Sequence, residues 1–390
     1  MLKLIKNGEV FSPDFLGKKD VLLAAGKIAH IADNIDVSTN FAPVEVIDAT
    51  GKYVVPGFID SHVHILGGGG EGGYKTRTPE IRLTDITTAG VTTVVGCLGT
   101  DGITRSMKSL LAKARGLEEE GVSTFIYTGS YQVPVRTITG TIEDDLILID
   151  KIIGVGEIAM SDHRSSQPTV QDFAKIAGAA RVGGILSGKA GVVNLHLGDG
   201  KRMLNFLEEI INTTEIPYSQ FVPTHIGRNK DLFEKGIEYA RKGGYVDFTT
   251  STTKEFLEEG EVKCSKALKI LLQSGVSPKN ITFTSDGQGS LPLFDEKGNL
   301  KGLTVGSCSS LFPEVRDAHF QESIDLSTAL RTITSNPADI LKLSSKGYIR
   351  EGRDADIVLL DKKDLYIDSV IALGKTMVRN GEILVKGTFI

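Results

Sequence analysis

His62 and His64 stand two residues apart in the run Gly57-Phe58-Ile59-Asp60-Ser61-His62-Val63-His64, and on a β-strand that spacing projects both imidazoles from one face. An apolar strand gains little from burying two imidazoles side by side unless a cation satisfies their nitrogens, and zinc-type ions are the usual partner of such clusters. Glu157, His196, His225 and Asp286 are further candidates of the same kind. Together the set exceeds what one tetrahedral catalytic ion takes, which is three protein ligands and one open position. Two ions fit better. On that reading His62, His64 and Asp286 hold one ion, His196 and His225 hold the other, and Glu157 bridges them. A lone Glu in the apolar run Ile152-Ile153-Gly154-Val155-Gly156-Glu157-Ile158-Ala159-Met160 would be costly to bury ionised without a cation nearby.

A two-ion centre lowers the pKa of a bridging water, giving hydroxide at neutral pH, and polarises a carbonyl. Metal-assisted hydrolysis is therefore the expected chemistry. Asp286 could ligate an ion and also pass the water's proton to a leaving amine, or act as a ligand alone.

These side chains need a scaffold that gathers them. Strand-like runs are read at Phe58–Val63, Thr92–Cys97, Thr124–Tyr127, Ile152–Ile158, Val192–Leu197, Phe221–Thr224, Tyr245–Thr250 and Ile281–Thr284. Between them lie amphipathic stretches such as Thr104–Glu120, Thr169–Ala180, Arg202–Ile211, Asp231–Lys242 and Cys264–Gln273. Alternating strand and helix of this kind predicts a (β/α)8 barrel of the TIM type over residues 57–344, with a doubly wound sheet as the second choice. Barrel active sites form at the C-terminal ends of the strands, and the candidates fall there. His62 and His64 end the first strand, Glu157 and His196 lie in the fourth and fifth, His225 ends the sixth, and Asp286 follows the eighth. His30, His163 and His319 fall outside this pattern and are expected on the surface, in loops or in supporting positions.

Both ends of the chain are β-rich. Short strands are read at Met1–Ile5, Asp20–Ala24, Ile28–Ala32 and Val44–Asp48, with a turn at Asn7-Gly8, and again at Ile349–Leu360, Ile367–Leu373 and Ile383–Val385. Residues 1–56 and 345–390 are expected to pair into one small β-sandwich flanking the barrel.

With 40% hydrophobic and 24% charged residues and a mean hydropathy of -0.01, the composition is that of an ordinary folded protein. The net charge of -5 carries no Lys/Arg block, so the electrostatic footprint of a nucleic-acid or membrane-surface binder is missing and a small-molecule substrate is expected. Cys97, Cys264 and Cys308 are odd in number and scattered, as in a reducing compartment. The N-terminal residues lack a basic region before an apolar run, and no apolar stretch approaches the ~18 residues of a membrane span. A cytoplasmic location is the expectation.

The opening run and the closing run Gly352-Arg353-Asp354-Ala355-Asp356-Ile357-Val358, followed by Gly374-Lys375, resemble the amidohydrolase superfamily and its cyclic-amidase and dipeptidase branch. Within that branch the chain resembles the isoaspartyl dipeptidases over essentially its whole length. The resemblance rests on Gly67-Gly68-Gly69-Gly70-Glu71, Thr76-Arg77-Thr78-Pro79-Glu80, Gly99-Thr100-Asp101, Arg136-Thr137-Ile138-Thr139-Gly140, Ser161-Asp162-His163-Arg164-Ser165, Arg181-Val182-Gly183-Gly184 and Ser285-Asp286-Gly287-Gln288-Gly289-Ser290. It implies hydrolysis of β-aspartyl dipeptides by a two-metal centre, most simply zinc, in a homo-oligomer. It also implies that Glu71 pairs the substrate's ammonium, that Arg164, Arg228 and Ser290 hold its carboxylates, that Thr100 touches it, and that Tyr131 stabilises the oxyanion. One position departs from the family. There the bridge in the fourth strand is a carboxylated lysine, and here it is Glu157, with Lys151 and Lys189 the nearest lysines. Two other functions stay open: a dihydroorotase-like or aminoacylase-like hydrolase on the same scaffold, and a non-catalytic assembly protein.

Overall fold

The computed structural model describes residues 2–37, 43–294 and 300–389; Met1, where the first strand was expected to begin, lies outside them. All eight expected barrel strands form: Phe58–Val63, Val91–Gly96, Ser123–Thr128, Ile152–Met160, Val192–Leu197, Phe221–Thr224, Val246–Thr249 and Ile281–Thr284. Nearly all their residues are buried, which is why they read as continuous apolar runs without alternation. The first six pair in parallel in chain order, and the last two pair with each other. Backbone bonds outside these ladders close the ring. Ile226 N donates to Asp247 O at 3.2 Å between the sixth and seventh strands, and His64 N donates to Gly287 O at 2.8 Å between the eighth and the first.

The helices around the ring follow from local sequence. Met107–Glu120 starts at Ser106, whose hydroxyl accepts from Ser109 N, and stops at Gly121 in the left-handed region; it turns Met107, Leu110, Ala114 and Leu117 inward. Val170–Ser187 opens with a Thr169/Asp172 capping box. Their apolar faces join the strands in one large core.

Strands from both chain ends form one further sheet, whose central link is the antiparallel pairing of Lys52–Pro56 with Ile357–Asp361. The strand Leu2–Phe11 pairs in parallel with Val44–Asp48 along its first half and with Lys52–Pro56 beyond it. The sheet therefore forks, and it encloses a second core that includes Ile5, Val21, Val54, Ile357 and Ile371. A (β/α)8 barrel with a small sandwich built by both termini is the resulting architecture.

Local details differ from expectation. Asn7-Gly8 is no turn: Leu2–Phe11 runs through it, and Asn7 at φ 64 sits in a register shift between Ile5 and Gly8, so the turn-forming residues make a bulge. The strand read from Ile349 begins only at Ile357, because Gly352 at φ 83 turns the chain first. The strand Lys375–Arg379 and the hairpin of Ser290–Phe294 with Leu300–Val305 were not read from the sequence.

Candidate metal centre and substrate pocket

The barrel brings His62, His64, Glu157, His196, His225 and Asp286 to one end, all buried. The centre of the arrangement is Glu157. Its Oε2 lies 3.3 Å from His62 Nε2 and 3.5 Å from His64 Nε2, while Oε1 lies 2.7 Å from His196 Nδ1 and 3.5 Å from His225 Nε2. Asp286 Oδ1 completes the first group at 3.0 Å from His64 Nε2 and 3.8 Å from His62 Nε2. One carboxylate thus faces two separate sets of nitrogens, one with each oxygen.

Glu157 reaches this position through a bulge. The fourth and fifth strands pair Val155 with Val193 and then Ile158 with Leu195, so two residues of the fourth strand oppose one of the fifth. A bulge re-aims the side chain it carries. Gly156 makes it possible: its φ is 150, and a Cβ there would meet Asn194 O at 2.8 Å. His225 at φ 63 and Asp286 at φ 52 are also held in the left-handed region, a cost of about 1–3 kcal/mol each that typically accompanies functional positions.

The geometry fits divalent cations. His62 Nε2, Glu157 Oε2, His225 Nε2 and Asp286 Oδ1 are buried without a hydrogen-bond partner among the described residues, although they lie within 4 Å of one another's groups. Lone pairs that converge without bonding are what a cation satisfies. Supporting contacts orient the rings: Thr249 Oγ1 lies 2.5 Å from His225 Nδ1, and Cys97 Sγ lies 3.9 Å from His64 Nδ1, which turns both Nε2 atoms inward. Below them Asp247 accepts from Thr224, Thr282 and Thr284 at 2.6 to 2.7 Å and ties three strands together. Burial pushes Glu157 toward neutrality, but His62, His196 and His225 outweigh it and hold the carboxyl well below its usual range. Asp286 is likewise raised by burial and lowered by His64, with a net fall. Burial and His196 hold His225 down at about 3, so its imidazole is neutral near pH 7.

Neither lysine competes for the bridge. Lys151 Nζ bonds Glu118 and Thr124 O, and Lys189 Nζ bonds Leu146 O and Ile149 O at 2.6 and 2.5 Å. Of the remaining histidines, His30 pairs with Glu351 on the surface, His163 is exposed, and His319 bonds Ile324 O at 2.9 Å.

A cavity of about 600 Å³ opens above the cluster, lined by Glu71, Thr100, Tyr131, Arg164, Arg228 and Ser290 among others. Glu71 Oε1 accepts from Thr100 Oγ1 at 3.0 Å and lies 3.3 Å from Arg164 Nη1, and its Oε2 accepts from Ser290 Oγ at 3.1 Å. The glycines before it are needed for close approach: at Gly69, φ 72, a Cβ would meet Thr76 O at 2.4 Å. Tyr131 Oη is 2.7 Å from His196 Nδ1, and the Arg164 guanidinium lies 5.3 Å from the Tyr131 ring centre. Burial raises the Tyr131 phenol well above its usual range and keeps its proton. Arg228 lines the same cavity, as do Phe256, Glu261 and Val262; among the described residues its Nε is buried without a hydrogen-bond partner, and no bond or ion pair joins it to the Glu71 group.

Asp162, Cys97 and Glu261 belong to this region and were not singled out from the sequence. Cys97 directly follows the second strand, so the strand-end criterion that found the histidines would have found it too.

The solved structure of β-aspartyl dipeptidase from Fervidobacterium islandicum AW-1, in complex with a β-Asp-Leu dipeptide, is 49% identical over 98% of both chains with a TM-score of 0.91. A second structure of β-aspartyl dipeptidase from that organism is 46% identical over 98% of both chains, with a TM-score of 0.89. Dihydroorotase from Listeria innocua is 35% identical over 166 residues, which is 41% of this chain and only 34% of that protein. Residues 53–382 match the amidohydrolase family, and with the barrel and its polar cluster at the strand ends this makes the chain a member of that family.

Proposed function

We propose that this chain is a metallo-dipeptidase that hydrolyses β-aspartyl dipeptides. The observation that carries the reading is the charge pattern of the pocket: Glu71, Thr100, Arg164 and Ser290 are joined by hydrogen bonds and an ion pair, and Arg228 lines the same cavity as a second cation not bonded to them among the described residues. A β-aspartyl dipeptide has a matching pattern, with an α-ammonium and α-carboxylate at one end and a second carboxylate beyond the scissile bond. The similarity to dipeptidases that cover the whole chain supports the same substrate class.

His62, His64 and Asp286 would hold one divalent ion and His196 and His225 the other, with Glu157 between them; zinc suits His and carboxylate donors. When bound, such ions polarise a carbonyl and lower the pKa of water. Glu71 would take the ammonium, Arg164, Arg228 and Ser290 the carboxylates, and Thr100 a further polar contact. Tyr131, kept protonated by burial, can donate to the carbonyl oxygen as negative charge develops there. Asp286, ionised at neutral pH, can take a proton from water and deliver it to the leaving amine. On this reading residues 57–344 are the catalytic barrel and residues 1–56 and 345–390 the accessory sandwich. No helix among the described residues is long and apolar enough to cross a membrane; we place the enzyme in the cytoplasm, as a homo-oligomer without nucleic-acid partners.

The test is turnover of a panel of β-aspartyl and α-aspartyl dipeptides, with dihydroorotate and hydantoins alongside and metal content measured on the same sample. Selective cleavage of the β-linked set is expected. Equal turnover of α- and β-linked substrates overturns the assignment, and turnover of the cyclic amides alone would favour a dihydroorotase-like enzyme.

A further inference from the structure

Asp162 follows the fourth barrel strand, two residues before Arg164, and is 8% exposed. Donors enclose its carboxylate. Oδ1 accepts from the Arg164 backbone N–H at 2.7 Å and from Arg164 Nε at 3.0 Å; Oδ2 accepts from Arg164 Nη2 at 2.7 Å and faces His196 Nε2 at 3.1 Å. The turn that carries it is fixed by Ser165 N and Gln167 Nε2, which donate to Asp162 O at 3.1 and 3.0 Å. Gly198 packs against the same side chain so closely that a Cβ there would lie 2.6 Å from Asp162 Cβ and Oδ2.

His196 has two faces. Nδ1 points to Glu157 Oε1 and Tyr131 Oη, each at 2.7 Å. Nε2 points away, with Asp162 Oδ2 and Arg164 Nη2 both at 3.1 Å and Tyr131 Oη at 3.2 Å. A neutral imidazole that offers Nδ1 to a cation must carry its proton on Nε2, and an N–H directed at a guanidinium alone would meet only positive charge. Asp162 is the carboxylate that Arg164 and His196 share. The geometry points to Asp162 as a positioning residue that joins the two halves of the site: it sets the guanidinium of Arg164 to receive a substrate carboxylate and holds the proton of His196 on Nε2, so that Nδ1 faces the metal position. The Arg164 half rests on the proposed substrate; the His196 half rests on the proposed metal centre alone.

Only an acceptor satisfies this environment. With the His196 proton on Nε2, all four neighbouring groups donate, so an asparagine of the same shape would turn its NH2 onto one of them in either orientation. The test uses the zinc-reconstituted full chain with Asp162→Asn, Asp162→Glu and Arg164→Ala. Ion loss to a chelator and elemental content are measured beside kcat and KM for a β-aspartyl dipeptide. Asp162→Asn should hold zinc about ten- to hundredfold less tightly and raise KM. Asp162→Glu, which keeps the charge on a longer arm, should recover part of both. Arg164→Ala should raise KM with zinc retention unchanged. A folded Asp162→Asn protein with wild-type zinc retention and KM overturns the proposal, as does one whose only change is a lower Tm. Should the wild type fail to cut β-aspartyl dipeptides, weaker zinc retention in Asp162→Asn still supports the His196 arm and wild-type retention still overturns it.

Discussion

Arg164 Nη1 lies 3.3 Å from Glu71 Oε1, so the cation and the anion to which we assign the substrate's charged head group are ion-paired with each other. A zwitterion fits such a pair by setting its carboxylate against Arg164 and its ammonium against Glu71, which exchanges one charge pair for two. Thr100 and Ser290 hold the Glu71 carboxylate from two further sides. The site is therefore organised before substrate arrives, which lowers the ordering cost of binding.

Arg164→Ala and Arg228→Ala should each lower kcat/KM more than tenfold. Truncating one side of a desolvated charge pair costs on the order of 2–5 kcal/mol, and the loss should be read as weakened transition-state binding. Zinc content should not change, because neither guanidinium is among the converging ligand atoms. Steady-state kinetics with elemental analysis checks both halves of the expectation; unchanged kinetics would remove the arginines from substrate binding.

Reconstitution of the metal-free protein should not depend on bicarbonate, since Glu157 already carries the carboxylate that a lysine would have to acquire from carbon dioxide. Glu157→Ala should lose both metal and activity. The checks are activity recovered with and without added bicarbonate, and metal stoichiometry of the variant; a strong bicarbonate requirement would mean that another group bridges the ions.

Gly156→Ala should damage the same centre without touching a ligand. A Cβ at φ 150 would press on Asn194 O at 2.8 Å, so the bulge must relax and Glu157 must move. Metal retention should fall at least tenfold, a loss of about 1.4 kcal/mol or more. Wild-type retention in this variant would show that the bulge does not set the carboxylate.

Glu261 should make stability depend on pH near neutrality. Burial pushes its carboxyl up to about 7, against smaller opposing effects from Thr252 and Arg228. A folded pKa above the unfolded value gives stability that is complete below the unfolded pKa and lost as pH rises through about 7. Glu261→Gln cannot ionise there, so its Tm should overtake that of the wild type between about pH 5 and 8. The gap at the top should approach about 3.5 kcal/mol, since the carboxyl rises from its ordinary 4.5 to about 7 and each pKa unit is worth about 1.4 kcal/mol. Scanning calorimetry of the metal-loaded proteins across that range provides the measurement; parallel profiles would contradict it.

Much of this protein is legible locally. Eight apolar runs separated by amphipathic stretches define the barrel, because strands buried on both faces have no polar side to break the run. A polar residue within or just after such a run stands out, and His62, His64, Glu157, His196, His225 and Asp286 stood out for that reason. Asp162 escaped notice because a carboxylate in a polar loop looks solvated, and only the fold sets His196 against the oxygen that Arg164, two residues along the chain, already holds. Cys97 escaped because burial is ordinary for cysteine.

The sequence by itself determined the element order and the residue types in and just after the strands, Glu157 among them, since periodicity and side-chain chemistry are properties of neighbouring residues. Tertiary structure alone decided how the Glu157 side chain comes to stand between two pairs of histidines. The bulge at Gly156 exists as a mismatch with the fifth strand, in which Val155 and Ile158 pair with Val193 and Leu195. The convergence of Glu71 and Arg228 on one cavity was decided in the same way, because closing the ring sets loops more than 150 positions apart in sequence around it. Such distances and registers are relations between segments, and no single segment encodes them.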